Sequence, residues 1–169
     1  MNRLFGYTLV LLAVAACGGQ RDGAFRPIAV GDIMPTYGVR TLSGDSVQIG
    51  AGEPVTLLNV WATWCTSCEE EMADLVALQR DLAPSGARIV GVSVDAGDPS
   101  RVRRFAEEQR LNFPVALDRE QRVKRLFRVV GVPTTFVIGR DGRLLLQHVG
   151  NLHPLRDSVA AVIRAAQGS

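Results

Sequence analysis

The sequence predicts a single α/β domain built on a mixed sheet. Two observations carry this. Apolar runs that read as buried strands alternate with stretches of helical spacing, as in parallel sheets covered on both faces. The last two strand-like runs, Thr134–Ile138 and Leu144–Val149, are instead joined by Gly139-Arg140-Asp141-Gly142-Arg143, and a short connection containing Asp-Gly is a strong hairpin signal. Length and composition agree: 169 residues, 47% apolar and 21% charged, suffice for one full core and lie in the ordinary globular range.

Taken in order, Val39–Leu42, Ser43-Gly44-Asp45 and Ser46–Ile49 read as strand, turn, strand, a hairpin expected to cap one sheet edge. Val55–Trp61 is a short, almost wholly apolar run after Pro54, fitting a strand buried on both faces. Cys65–Leu82 then places Met72, Leu75, Val76, Leu78 and Leu82 at helical spacing, stopped by Pro84-Ser85-Gly86. Arg88–Val94 is a second buried strand. Asp98-Pro99 supplies a cap and a first-turn proline for a helix to about Arg110. Phe113–Leu117 is a short extended segment, Arg119–Phe127 a further helix, and Pro154–Ala166 a closing helix with Leu155, Val159, Val162 and Ile163 on one stripe.

The N-terminus reads differently. Met1-Asn2-Arg3 is a short basic start, Leu4–Ala16 is nearly all apolar, and the pattern breaks at Cys17-Gly18-Gly19. Thirteen residues are too few to span a bilayer and suit the apolar core of a signal peptide. Val14-Ala15-Ala16-Cys17 resembles the bacterial lipobox, whose cysteine is acylated and becomes the mature N-terminus. That accounts for the odd count of three cysteines. The expected organisation is a signal peptide over 1–16, a tether over 17–29 and one domain over 30–169. The formal charge of +2, with no basic run or aromatic-laced patch, gives no sign of nucleic-acid binding.

The chemistry centres on Trp64-Cys65-Thr66-Ser67-Cys68. A strand that delivers Cys-x-x-Cys onto a helix N-terminus reads as a thioredoxin-like redox site. Unpaired N–H groups and the helix dipole there favour an anion. The Cys65 thiol is therefore expected to ionise below the free value of ~8.5, and the thiolate is the nucleophile. Cys68, one turn on and nearer the interior, is placed to resolve a mixed disulfide. Ser67 offers a hydroxyl to a thiolate. Glu69 and Glu70 suit a solvated first turn, while Glu71 shares the helix face of Cys68 and reads either as a half-buried carboxylate suited to general-base work or as a plain surface acid. Trp61 is expected in the core and Trp64 partly exposed, as an apolar contact for substrate. His148 and His153 are read as ordinary surface or core histidines rather than a metal pair.

These residues, with Val132-Pro133-Thr134 and the opening Gly31-Asp32-Ile33-Met34-Pro35, resemble the TlpA/ResA branch of the thioredoxin superfamily from about Gly31 to Ala166. The resemblance implies a thioredoxin-like three-layer α/β sandwich: a central mixed sheet, an N-terminal β-hairpin and a central helix–strand insertion at about Ala96–Leu117. It implies a cis bond before Pro133, turning the Val132 backbone outward where an extended substrate could pair with it. It implies that Glu71 handles the proton of Cys68, while Asn59 occupies the strand position where thioredoxin has a buried Asp. Ser67 departs from the family's usual proline and bears on the reduction potential.

The function so implied is an extracytoplasmic, membrane-anchored thiol–disulfide oxidoreductase, monomeric and without a cofactor. Its clients would be proteins with thiols or disulfides, such as apocytochrome c or copper-site cysteines, and its electrons would come from a membrane donor of the DsbD/CcdA type. Two alternatives stand beside it. A peroxiredoxin-like thiol peroxidase usually needs Pro and Thr/Ser upstream of the attacking cysteine; here Ala62 is not proline and Thr63 is two residues away. A copper-binding chaperone usually spaces its cysteines by three residues, and here the spacing is two. Zinc would want four ligands, and a c-type haem would want His where Glu69 stands.

Overall fold

The computed structural model describes residues 28–168. The segment holding Cys17, the signal peptide and nearly all of the expected tether lies outside the described residues. Seven strands and four helices follow in the order β1 (Tyr37–Arg40), β2 (Ser46–Ile49), β3 (Thr56–Trp61), α1 (Thr66–Leu82), β4 (Arg88–Ser93), α2 (Pro99–Glu108), β5 (Val115–Leu117), α3 (Arg122–Leu126), β6 (Thr134–Ile138), β7 (Leu144–Val149) and α4 (Arg156–Ala165).

The central sheet has the order β5-β4-β3-β6-β7. β3, β4 and β5 run parallel, while β6 is antiparallel to both β3 and β7. Every residue of β3 is buried, because helices or loops cover both faces of this central strand. Alternation along β3 sorts those faces. Asn59 reaches Glu71 on α1, and Trp61, two residues on, packs against Phe105 of α2 with ring centroids 4.9 Å apart. α4 packs on α1, so α1, α2 and α4 share one face. The opposite face takes α3, whose neighbour Phe127 packs against Phe136 with the rings tilted and their centroids 5.7 Å apart; Phe136 pairs with Leu58. This is the three-layer thioredoxin-like sandwich, with the inserted α2 and β5 at one edge.

The hairpin β1–β2 forms its own two-stranded sheet. It caps the β5 edge, through Leu42 N–H donating to the Val115 carbonyl at 2.7 Å and a bridge between Thr41 and Ala116. Gly50 closes it at φ +120°, and a Cβ there would stand 2.8 Å from the Thr36 Cα. The entering chain joins the other edge: Gly31 N–H donates to the Leu144 carbonyl, and Leu144 N–H to the Asp32 carbonyl, both at 2.8 Å.

Several boundaries differ from the sequence expectation: β1 is Tyr37–Arg40 rather than Val39–Leu42, β5 begins at Val115 rather than Phe113, and three helix starts move. Cys65 is the cap of α1 and Thr66 its first residue. The closing helix begins at Arg156, because Pro154 lies in a 3-10 turn, His153–Leu155. α3 begins at Arg122 rather than Arg119, for a reason the local pattern hides. The Asp118 carboxylate accepts from the N–H groups of Arg122 (2.7 Å) and Lys124 (3.1 Å), while Gln121 turns at φ +56°. The side chain before the helix therefore satisfies its orphan donors and sets where it starts.

Candidate active site

The site lies where β3 leaves the sheet. Its Ala62-Thr63-Trp64 loop carries Cys65 to the tip of α1, and a buried carboxylate holds that loop. Asp95, 6% exposed after β4, accepts from Thr63 N–H at 2.9 Å, Thr63 Oγ1 at 2.6 Å and Ser93 Oγ at 2.7 Å. The hydroxyl that a peroxidase reading would want near the cysteine is thus engaged by Asp95. Neither Asp95 nor Ser93 was marked by a sequence pattern; an aspartate ending a buried strand is the only signal they leave.

Cys65 and Cys68 form a disulfide, their Cα atoms 5.2 Å apart. Cys65 is 9% exposed and Cys68 is fully buried. The Cys68 N–H, one of the unpaired donors of the helix start, donates to Cys65 Sγ at 3.2 Å. Ser67 Oγ lies 3.5 Å and the Val132 carbonyl oxygen 3.7 Å from the same sulfur. The Val132–Pro133 bond is cis. Pro133 is buried, and its carbonyl accepts from Gly150 N–H at 2.9 Å, so the loop is fixed from the β7 side. Trp64 is 62% exposed beside Cys65, whereas Trp61 is fully buried.

Glu71 departs from expectation: it is not half-buried but has no exposed surface. Its Oε1 accepts from Asn59 Nδ2 at 2.8 Å and its Oε2 from Leu152 N–H at 2.9 Å. Asn59 Nδ2 also donates to Thr135 Oγ1 at 3.1 Å. Burial pushes the Glu71 pKa up to about 7, against the opposing pull of the Asn59 and Leu152 hydrogen bonds; the Asp74 carboxylate adds a small push upward. Helical spacing placed Glu71 on the Cys68 face. It carried no sign that Leu152, 81 residues on, would close over it.

Glu69 and Glu70 are exposed, in contact with Gln109 and Asn151 at 3.3 Å each. The two histidines stand apart in their contacts: His153 Nδ1 is 2.6 Å from Asp74 Oδ2, and His148 Nε2 is 3.1 Å from the Asn151 carbonyl. Among the described residues no group of three or more His, Cys, Asp or Glu side chains could hold a metal ion, and no helix is long and apolar enough to cross a membrane.

Comparison with known proteins gives a consistent set of likenesses. The model of the AhpC/TSA family matches residues 30–146. Thiol-disulfide oxidoreductase ResA of Bacillus anthracis is 30% identical over 158 residues, covering 88% of this chain and 89% of that protein. The thioredoxin-like protein YneN of Bacillus subtilis is 35% identical over 129 residues, 74% of each chain. A crystal structure from Chlorobium tepidum, provisionally assigned as the thiol:disulfide interchange protein DsbE, superposes with a TM-score of 0.75 at 30% identity, covering 83% of this chain and 99% of its own.

Proposed function

Because the chain belongs to the AhpC/TSA family, as a ResA-like thiol–disulfide oxidoreductase of thioredoxin fold, we propose that it reduces client disulfides with Cys65 as nucleophile and Cys68 as resolving thiol. The graded burial of the two cysteines carries this reading: Cys65 keeps 9% of its surface exposed and Cys68, one turn on, keeps none. A client must reach the first sulfur but not the second.

In the reduced state the Cys65 thiolate attacks one sulfur of the client disulfide. That S–S bond breaks, a mixed disulfide forms, and the departing client thiolate takes a proton. Glu71 accepts the Cys68 proton, and the Cys68 thiolate attacks Cys65 Sγ, releasing the second client thiolate. Two electrons pass to the client, and the domain is left with the Cys65–Cys68 disulfide. A carboxyl titrating near neutrality is matched to such a transfer. Trp64 and the Val132 backbone beside Pro133 form the contact for an extended client segment, with Ser67 close enough to donate to Cys65.

The wider reading is an extracytoplasmic, monomeric lipoprotein held by acylated Cys17. Its clients are cytochrome c maturation or copper-site thiols, and its reductant a membrane donor of the DsbD/CcdA type. The lipobox-like Val14–Cys17 and the family resemblance support it.

The test of the site is a pair of single variants. Cys65→Ser should abolish exchange, and Cys68→Ser should accumulate mixed disulfides with client, visible on non-reducing gels. Identical behaviour of the two would overturn the assignment.

A further inference from the structure

Residues 119–128 carry five cations, Arg119, Arg122, Lys124, Arg125 and Arg128, against one acid, Glu120. They surround α3, the only described helix on its face of the sheet. Val123 and Phe127 fill the buried side, which turns Arg119, Arg122, Arg125 and Leu126 outward. The acids nearby, Glu120, Asp118, Asp32 and Asp98 (whose carboxylate acts on Arg119), offset this charge only in part. Glu120 pairs with Arg122 at 2.6 Å, Asp118 is buried under the backbone of α3, and Asp32 lies in the crevice beside Arg128.

Apolar side chains break through the same surface. Of the six large apolar residues exposed among the described residues, Val30, Ile33, Leu126 and Val130 lie here, exposed between 40% and 78%. The other two, Trp64 and Val149, flank the disulfide end. Ile28 and Ile33 line a crevice with Leu126 and Arg128, so the chain arriving from Cys17 enters against α3.

We infer that this face, α3 together with the entering segment 28–33, rests on an anionic lipid surface. The inference rests on the lipid anchor at Cys17 proposed above. Cys17 lies eleven residues before Ile28, a span of at most ~40 Å however the chain runs. An anchored domain therefore meets the bilayer at high effective concentration. Anionic headgroups attract Lys and Arg within about a Debye length, roughly 8–10 Å, and apolar side chains among the cations enter the interface. Residues 31–34 join the sheet at Leu144 and Gly142, the end where β7 pairs with Ile138. Cys65 stands at the other end, beside Val132. The docked domain keeps its disulfide away from the point where the chain enters.

The mature full chain, reconstituted in phosphatidylglycerol-containing vesicles and separately in phosphatidylcholine alone, tests this. A fluorophore is placed at Leu126→Cys on α3, or at Ala161→Cys on the opposite face, with Cys65–Cys68 oxidised and a quencher on the lipid headgroups. Quenching should be several-fold stronger at position 126 than at 161 on anionic vesicles. The contrast should fall toward parity on phosphatidylcholine and in the Arg119→Gln/Arg122→Gln/Arg125→Gln variant. Mass measurement of the mature chain reads the anchor separately. Absence of an acyl mass on Cys17 overturns both the anchor and this inference. An acylated chain quenched equally at both positions overturns the docking face alone. A charge variant that slows turnover of an acidic client without moving the quenching assigns the patch to a protein partner and also overturns it.

Discussion

Glu71 is the residue where burial and chemistry meet most directly. Folded, its carboxyl holds a proton up to about pH 7; its ordinary value is 4.5. Between those values the folded state binds the extra proton. The stability this group contributes is therefore whole below about pH 4.5 and is lost as pH rises through about 7. At ~1.4 kcal/mol per pKa unit the full span is on the order of 3 kcal/mol. Glu71→Gln should flatten the pH dependence of unfolding free energy over this window. In exchange assays it should slow resolution and erase an inflection near neutrality. An unchanged pH–rate profile would make Glu71 a structural bystander. The sequence showed which residue shares a helix face with Cys68, since 3.6-residue periodicity is local. It did not show the depth of burial, which Leu152, Asn59 and Thr135 set from distant strands and loops.

At the scale of elements, the loop between β3 and α1 has no regular structure to hold it, yet it must present Cys65 in one place. Asp95 ties it to the end of β4, its carboxylate accepting two hydrogen bonds from Thr63 of the loop and one from Ser93 of β4. Removing the acceptor strands buried donors, each worth about 1–3 kcal/mol. Asp95→Ala should therefore cost about 2–4 kcal/mol in denaturant unfolding and slow attack by Cys65, with Asp95→Asn recovering part of both. Equal exchange rates in all three proteins would show that the loop needs no such tie. Strands β3 and β4 and helix α1 were legible because apolar run length and periodicity are properties of contiguous residues. The start of α3 was not, because the Asp118 side chain decides it.

Across the molecule as a whole, the redox pair and the entering chain lie at opposite ends of one sheet. The parallel core β3-β4-β5 and the antiparallel pair β6–β7 bring Cys65 and Val132 together across 67 residues of sequence. The entering chain binds the far end of β7, next to the basic face of α3. The thioredoxin-like architecture was legible because strand–helix alternation ended in a hairpin with an Asp-Gly turn. The standing of the β1–β2 hairpin as a separate sheet, joined to β5 at its rim, follows from tertiary contacts that no local pattern carries.

The central claim is that one sulfur is presented for attack and the other is held beneath it. Timed alkylation of the reduced protein at neutral pH, with each cysteine quantified by peptide mass, tests this most directly. Cys65 should be modified many-fold faster than Cys68. Two thiols reacting at the same slow rate would contradict the account.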